Sequence, residues 1–513
     1  MTRTAAALVA IVSLLAGSCA GPRKAAPAAT APASPPPAAQ AAVVSPPPAP
    51  EAPAGPDRSK PPEKGPAPAL RLPAQKHFAL SNGLKVRLVE YERLPIVAVN
   101  LVVDAGGARD PGRLPGLASF TATMLTEGTK TRSATQISDE AGFLGASISA
   151  GARVDTASVG GGTLAKHLPK FMELFADVAM NPAFPKADFE RVQDERIVTL
   201  LQQRDQPQAS ASKAFAQVFW GKHPYGHYML GTEESVKSMR PKDLADFHGR
   251  HWRPGNAELV VVGDVHEGEL RALLEKTLGA WKPGKAPAPI PPAPPAAPKR
   301  TILLEKVDAP QAYLLLGMPG LRRNSDEFVA ASVAFQVLGG GMSSRLFRNL
   351  REEKGYTYGI HAQGDARRLA GVSFVVGSVK AEVTGAAVKE LLAELERLRE
   401  EPVPEAELQD ARNALVLGLP AEFATAGAIA GRLADLAVHG LPDDYWNRYA
   451  ERVQQVTAED VRRFARERLD PARLTIVMVA NPEVVKPQLA GLPIGPVEVR
   501  HVPRAPGTGA GAR

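Results

Sequence analysis

The chain has 513 residues, which is too long for one ordinary domain and predicts about two to four of them. An apolar fraction of 44% is enough for sizeable cores, and a net charge of +7, spread along the chain, argues against a dedicated nucleic-acid binder. The single cysteine, Cys19, excludes an internal disulfide and a thiolate metal cluster.

The first 18 residues have the pattern of a secretory signal peptide, with an apolar run at positions 5–15 that is too short to span a membrane. The stretch LLAGSC resembles a bacterial lipobox, although Ala16 stands where leucine is usual. This resemblance predicts lipidation of Cys19, and Ala20 after it favours the outer membrane facing the periplasm. The alternative is a secreted protein with an unmodified cysteine.

Two proline-rich stretches divide the rest of the chain. Residues 19–72 are rich in Pro and Ala and predict a disordered, extended tether. A second stretch, Pro283–Pro298, predicts a semi-rigid linker. The predicted folded units are therefore an N-terminal domain at 73–282 and a C-terminal domain at 299–495, followed by a disordered tail at 496–513.

The two predicted domains repeat each other. The pairs Phe247 and Phe464, Pro254 and Pro471, and Val260 and Val477 are each separated by 217 residues, and Pro185 aligns with Pro404 at nearly the same offset. An offset that drifts by only about two residues over such a span indicates a duplicated domain.

The elements of one domain can be read in chain order. Two short strands flank Asn82-Gly83, a hairpin signal. A strand at PIVAVNLVVDAG follows, then an apolar helix at PGLASFTATMLTEGT that Gly128 ends and a helix at ATQISDEAGFLG. After these come a strand pair at ISAGARVDTASVGGGTL, an amphipathic helix at AKHLPKFMELFADVAMN and a long helix at KADFERVQDERIVTLLQQRDQ. The pattern predicts an α+β sandwich, with helices on one face of a mostly antiparallel sheet.

Several segments resemble one family in order and spacing. VAVNLVVDAGGARD followed by PGLASFTATMLTEGTKTRS, HPYGHYMLGTEESV, and LGGGMSSRLFRNLREEKGYTYGI are similar to segments of the pitrilysin family of inverzincins, which includes insulysin and mitochondrial processing peptidase. The resemblance covers about residues 76–485. It implies two homologous pitrilysin-like domains.

The zinc motif of that family is replaced here. Active members carry H-x-x-E-H on the first helix, with the two histidines as zinc ligands and the glutamate as general base. By alignment, the histidine positions are Ser119 and Thr123, the base position is Ala122, and the third ligand falls at Val198 or Thr199. Hydroxyl groups are poor zinc ligands and alanine cannot move a proton. We expect no catalytic zinc in this chain.

Two histidine pairs have spacings that could hold a metal ion. His223 and His227 lie in a turn-rich stretch, and His248 and His251 lie on a helix before a tryptophan. Neither pair has an adjacent glutamate in the inverzincin pattern, so we interpret all four as surface or packing residues.

The second domain retains residues that the resemblance links to substrate binding. In family members, an Arg and a Tyr seven residues apart hold the substrate backbone and stabilise the oxyanion; here they are Arg351 and Tyr358. The alternative is a surface arginine followed by a buried strand. Gly339, Gly340 and Gly341 precede them as either a flexible turn or a loop that approaches substrate closely.

Three apolar residues after the glycines, Met342, Leu346 and Leu350, recur at helical spacing and predict core positions. The second domain also lacks H-x-x-E-H. The resemblance therefore implies a non-catalytic, substrate-binding subunit of a two-chain zinc peptidase, with the zinc in a homologous partner and peptides as substrates. The alternative is a stand-alone peptide-binding or scaffold lipoprotein of the cell envelope.

Overall fold

A computed structural model describes residues 70–285, 287–294 and 298–501, together with Ser59. The predicted signal peptide, the lipidation site Cys19, nearly all of the tether and the chain after His501 lie outside the described residues. We refer to residues 70–285 as the first half and to residues 298–501 as the second half.

Each half contains one six-stranded sheet. The first sheet has the order β1-β2-β6-β3-β5-β4, in which only β2 and β6 run parallel. Its strands are β1 (Lys76–Ala79), β2 (Lys85–Glu90), β3 (Ile96–Val103), β4 (Ser147–Ala152), β5 (Ala157–Leu164) and β6 (Ala257–Gly263).

The second sheet has the order β12-β7-β11-β8-β10-β9, with β7 parallel to both β11 and β12. Its strands are β7 (Arg300–Glu305), β8 (Gln311–Gly320), β9 (Thr357–Asp365), β10 (Gly371–Lys380), β11 (Thr475–Ala480) and β12 (Val497–His501). Strand for strand, five of the six positions correspond, and the sixth is filled by β1 in one sheet and β12 in the other. The predicted duplication and the α+β class are confirmed.

The helices follow the same plan in both halves. In the first half they are α1 (Leu117–Met124), α2 (Ala134–Phe143), α3 (Leu168–Met180), α4 (Lys186–Arg204), α5 (Pro207–Trp220), α6 (Glu233–Ser238), α7 (Pro241–His251) and α8 (Glu267–Leu278). In the second half they are α9 (Phe328–Gly339), α10 (Arg345–Phe347), α11 (Thr384–Glu400), α12 (Glu405–Leu417), α13 (Ala426–His439), α14 (Tyr445–Gln455), α15 (Ala458–Arg468) and α16 (Pro482–Val485). A π-helical segment, Arg348–Glu353, continues α10.

Alternating side chains of the central strands enter two different cores. On β3, Val99 and Leu101 pack with the helices of the first half, whereas Ala98 and Val102 belong to the core of the second half. Since successive side chains of a strand point to opposite faces, both faces of the sheet are covered. The predicted arrangement, with helices on one face only, is therefore incomplete.

The second face of each sheet is covered by a helix from the other half. Helix α13 packs on β3 and β6, and helix α5 packs on β11 and β8. These helices occupy equivalent places in the duplicated plan, so the exchange is reciprocal. Phe215 of α5, for example, lies in the same buried cluster as Val477 of β11. The exchange buries apolar surface of both sheets and joins the two halves into one folded unit.

Two predicted boundaries need correction. The predicted disordered tail begins at 496, yet residues 497–501 form β12, because its backbone pairs with the otherwise open edge of β7. The predicted tether ends at residue 72, yet Leu70 and Leu72 pack against the core of the second half. The linker contains no helix or strand where it is described, and Pro291 accepts a hydrogen bond from His223 of the first half at 3.0 Å.

The predicted hairpin of the first half is confirmed. The hairpin of β1 and β2 turns at Asn82-Gly83, where Gly83 adopts a φ of 86°, a conformation that side chains disfavour. Within the described residues, no single helix is long and apolar enough to cross a membrane. Helix α12 with its 3-10 extension and helix α13 reach that length and apolar composition only when they are taken together, and the chain bends sharply between them.

Candidate functional site

Helix α1 carries Ser119, Ala122 and Thr123, the three positions that the sequence alignment assigns to the zinc motif. It begins at Leu117 after Gly116, and the buried carboxylate of Asp110 accepts hydrogen bonds from the backbone N–H groups of Gly116 and Ala118, each at 2.7 Å. Asp110 therefore acts as a side-chain cap for the N-terminus of α1. Ser119 is half-buried, Thr123 is exposed, and Ala122 is completely buried in the core of the first half.

The guanidinium of Arg196, on α4, connects the two hydroxyl groups. Its Nη1 donates to Ser119 Oγ at 2.7 Å, and its Nη2 donates to Thr123 Oγ1 at 3.3 Å. It also lies 4.8 Å from the centroid of the Phe120 ring. Thr123 donates its own proton to the carbonyl of Ser119 at 3.0 Å, so its oxygen is oriented as an acceptor.

This arrangement corrects the sequence-based choice for the third ligand position. Val198 is half-exposed, and Thr199 is exposed and donates its hydroxyl proton to the carbonyl of Glu195; the hydrogen bonds to Ser119 and Thr123 come from Arg196 instead. Arg196, two to three positions earlier on α4, is the residue that faces them. The sequence alignment missed it because it was anchored on the segment after α4, and only the packing of α4 on α1 shows which side chain points inward.

Burial shifts the pKa values of two charged residues at this site, Arg196 and Asp110. Burial lowers the pKa of Arg196 to about 10, which leaves it charged at neutral pH. Burial raises the pKa of Asp110 to about 7, although two backbone N–H groups and the charge of Arg196 act in the opposite direction.

The residues at the former ligand positions do not fit a zinc ion. Two neutral hydroxyls offer weak ligands, and a guanidinium that keeps its positive charge lies between them. Among the described residues, no three His, Cys, Asp or Glu side chains are grouped so that they could share a metal ion. The guanidinium instead links α1 to α4, as a metal ion would link the helices that hold its ligands.

One histidine of each pair, His223 and His248, is held by hydrogen bonds within the fold. His223 accepts a hydrogen bond from the backbone of Tyr225 at Nδ1, which leaves the Nε2 proton to donate to Pro291. His248 is hydrogen-bonded through Nε2 to the carbonyl of Ala179 at 2.9 Å, and its ring stacks on Trp252. Burial lowers the pKa of His248 to about 4, so it is neutral at physiological pH.

The remaining members of these pairs are also packed. His251 is buried against Phe247, and burial lowers its pKa to about 4. Desolvation lowers the pKa of His227 as well. In both, Nδ1 is buried without a hydrogen-bond partner in the described part of the chain.

In the second half, Arg351 and Tyr358 are in contact. Arg351 Nη1 donates to the carbonyl of Tyr358 at 2.8 Å, and its guanidinium lies 4.5 Å from the ring centroid of Tyr358 and 4.8 Å from that of Phe347. The guanidinium is thus held between two aromatic rings and a carbonyl oxygen. No carboxylate in the described residues forms an ion pair with it.

The backbone around this pair is irregular at both residues. Arg351 lies in the π-helical segment, a form that is rare and frequent at functional sites. Tyr358 is the extra residue of a bulge in the edge strand β9, because Thr357 pairs with Val379 and Gly359 with Ser378. A bulge re-aims a side chain, and the Tyr358 side chain is 83% exposed rather than buried.

The three glycines lie at the end of α9. A Cβ on Gly339 would approach the backbone nitrogen of Ala362 on β9 to 2.3 Å, and one on Gly340 would approach Gln336 to 2.3 Å. These two glycines permit close packing within the fold. A Cβ on Gly341 would have its nearest neighbour at 3.7 Å, so this position has free space. Of the three glycines, Gly341 is therefore the one that still fits the prediction of a loop that substrate can approach closely.

The prediction for the apolar residues after the glycines is partly wrong. Leu346 and Leu350 are completely buried, but Met342 is 74% exposed, because it precedes α10 in the turn rather than continuing a helix. A cavity of about 340 Å³ lies beside this turn, between α9 and β9, with Phe335, Gln336 and His361 among its lining residues.

Comparison with known sequences assigns the chain to a family. The sequence model described as "Insulinase (Peptidase family M16)" matches residues 85–233, and the model "Peptidase M16 inactive domain" matches residues 238–415. The chain belongs to the M16 family of peptidases. The two models together cover most of the described structure.

M16 relatives are found among curated proteins and solved structures. An uncharacterized zinc protease of Mycobacterium tuberculosis is 26% identical over 414 residues, covering 80% of this chain and 94% of the relative. The peptidase M16 inactive domain of Pseudomonas fluorescens superposes with a TM-score of 0.75 at 26% identity, covering 80% of this chain and 98% of that one. A Helicobacter pylori protease, at 22% identity and a TM-score of 0.74, shares the fold, with coverage of 80% and 100%.

Proposed function

We propose that this chain is the non-catalytic, substrate-binding subunit of a two-chain M16 peptidase. The observation that carries the proposal is a contrast within one molecule. The first half has Arg196 between the hydroxyls of Ser119 and Thr123, where a catalytic M16 chain holds zinc. The second half keeps Arg351 and Tyr358 in an ordered, accessible arrangement.

The chemistry of each subunit follows from this contrast. The zinc ion and the general base would come from a homologous partner that carries H-x-x-E-H, and the substrates would be peptides. Arg351 would donate hydrogen bonds to the peptide backbone, and the Tyr358 hydroxyl would donate to the oxygen that becomes negative during hydrolysis. Preordering by Phe347 and the β9 bulge reduces the entropy lost when these donors engage the peptide.

The test is reconstitution of peptide hydrolysis. The chain, its H-x-x-E-H homologue from the same genome and their mixture are each incubated with an internally quenched peptide. We expect strong, chelator-sensitive hydrolysis only in the mixture, together with co-elution of the two chains. If the chain binds peptides but neither co-elutes with the homologue nor increases its activity, it is a stand-alone binding lipoprotein instead.

We further propose that the mature chain is lipid-anchored at Cys19, at the outer membrane and facing the periplasm. The support is the sequence LLAGSC, followed by Ala20. Metabolic labelling with a radioactive or clickable palmitate is expected to mark the native chain but not Cys19→Ala, and fractionation is expected to move that variant out of the membrane fraction. Equal labelling of both chains, or a soluble native chain, would contradict the anchor.

A further inference from the structure

A small pocket lies where the end of α4 and the helix α5 meet the strands β7 and β12. Its volume is about 260 Å³. Four of its lining residues are basic, namely Arg204, Lys213, Arg500 and His501, and none of its lining residues is Asp or Glu. The pocket therefore joins elements of both halves around a surface that carries positive charge.

Three of these basic residues have acidic partners. Arg204 forms an ion pair with Glu233, His501 with Glu305, and Arg500 with Glu498. The ion pairs of Arg204 and Arg500 leave guanidinium N–H donors unused, since a carboxylate engages only part of a guanidinium.

Lys213 differs from the other three. It is half-buried, and no hydrogen bond or ion pair joins its ammonium to another group in the described part of the chain. Burial lowers the pKa of Lys213, and the charge of Arg204 acts in the same direction, whereas Glu233 opposes them. A partly desolvated ammonium without a counter-ion is costly, and an anion that entered the pocket would remove that cost.

The apolar part of the wall strengthens such an interaction. Leu200, Ala214 and Leu304 line the pocket beside the basic side chains. An apolar wall lowers the local dielectric and makes a charge-assisted hydrogen bond stronger than it would be in water. A pocket of this size admits a single oxyanion group but not a folded partner.

We propose that this pocket binds an oxyanion, the carboxylate of an acidic peptide or a phosphate, with Lys213 as its central ligand. The site lies outside the α1 and Arg351 regions and lies within this single chain. It therefore goes beyond the proposed function, and the test needs no partner subunit.

The test is calorimetric titration of the full, purified chain at fixed ionic strength with three probes, namely capped triglutamate, capped triglutamine and inorganic phosphate. We expect triglutamate, phosphate or both to bind with one ligand per chain and triglutamine not to bind. Binding of triglutamate alone would identify a peptide carboxylate as the ligand, and binding of phosphate alone would identify a phosphate group.

Matched lysine variants decide whether the pocket is responsible. Lys213→Met is expected to weaken binding about tenfold or more, the effect of losing one charge-assisted hydrogen bond. Lys213→Arg is expected to retain binding. Lys222→Met, which removes an exposed lysine just beyond α5, is expected to change it less than about twofold.

Three results would overturn the proposal. The first is that neither triglutamate nor phosphate binds, and the second is that triglutamine binds as tightly as triglutamate. The third is that Lys213→Met and Lys222→Met weaken binding equally, which would show that the anion is attracted by the overall positive charge of the surface and not by this pocket. The unfolding temperature of each variant shows whether a loss of binding is a loss of folding.

Discussion

The two halves build the same sheet and cover it in the same way, but they differ at the helices that follow β3 and β8. In the first half, α1 is connected to α4 by Arg196, whose guanidinium donates hydrogen bonds to Ser119 and Thr123. In the second half, α9 is followed by an exposed turn, the π-helical segment and the bulge at Tyr358. The first region is therefore an internal cross-link, whereas the second presents donors to solvent.

The difference concerns how α1 is held in place. A zinc ion in a catalytic relative would join α1 to α4 through its ligands, and one guanidinium provides the same connection by hydrogen bonds and by its contact with Phe120. Among the described residues, no carboxylate forms an ion pair with Arg351. The comparison predicts that substitutions at Arg196 affect stability and that substitutions at Arg351 affect activity.

The largest expected effect on stability is that of Arg196→Ala. The variant leaves the buried Asp110 without its nearby positive charge and removes the link from α4 to Ser119 and Thr123. We expect the free energy of unfolding in urea to fall by about 3 kcal/mol. Arg191→Ala, on the same helix but in exposed ion pairs with Glu127 and Glu195, is the control and should cost less than about 1 kcal/mol. Equal losses in the two variants would show that Arg196 is not a cross-link.

Acid should destabilise the protein through the buried histidines of the first half. Folded His248 stays neutral to about pH 4, whereas in the unfolded chain it gains a proton near pH 6.5. Between these values only the unfolded state binds that proton, so the unfolding free energy falls as pH drops, by up to about 3 kcal/mol for His248.

The contribution of His248 is measured as a difference between variants, because Asp110 titrates in the opposite sense. With its pKa raised to about 7, folded Asp110 holds a proton that the unfolded chain lacks, which stabilises the fold as pH falls below 7. We expect the difference in unfolding free energy between the native chain and His248→Phe to shrink between pH 6.5 and pH 4. A pH-independent difference would contradict the assignment.

In the second half, Arg351→Ala should lower hydrolysis by the reconstituted pair about a hundredfold, since a donor to the reacting peptide is lost. Tyr358→Phe should act in the same direction and leave the chain folded, because the Tyr358 hydroxyl is exposed. The matched control is Arg348→Ala, in the same π-helical segment but paired with Glu407 at 3.3 Å. Unchanged hydrolysis by both Arg351→Ala and Tyr358→Phe would assign the pair no role in the reaction.

A smaller effect is expected from the glycines that precede this site. Gly339→Ala forces apart α9 and β9, because the new Cβ would meet the Ala362 backbone at 2.3 Å, and it should cost about 2 kcal/mol in a urea titration. Gly341→Ala has room and should cost less than about 0.5 kcal/mol. The reverse order would contradict the packing role assigned to Gly339.

The fold could be read from the sequence wherever the signal was local or repeated. The Asn82-Gly83 turn marked the first hairpin, and matched pairs such as Phe247 and Phe464 revealed the duplication. The exchange of α5 and α13 could not be predicted, because the apolar residues on a strand face predict that the face is buried but not which distant helix covers it. The strand β12 was missed for a related reason, since its pairing depends on the free edge of β7.

At the site, the sequence alignment selected Ser119 and Thr123 on α1 but not Arg196, the side chain that hydrogen-bonds to both. Arg196 is a buried charge on a helix with weak amphipathic patterning, and an alignment error of two residues on such a helix turns the side chain to another face. Met342 was assigned to the core because its spacing to Leu346 is helical, yet the helix begins only at Arg345. Arg351 and Tyr358 were proposed because their spacing matches a family pattern, and the structure places them in contact.

The central claim, that the first half has exchanged its metal site for an internal cross-link, is tested most directly by the zinc content of the chain. The purified chain is equilibrated with zinc, separated from free metal and measured by mass spectrometry beside the double variant Ser119→Ala, Thr123→Ala. The account predicts substoichiometric zinc that is the same in both. One zinc per chain in the native protein, lost in the double variant, would contradict it.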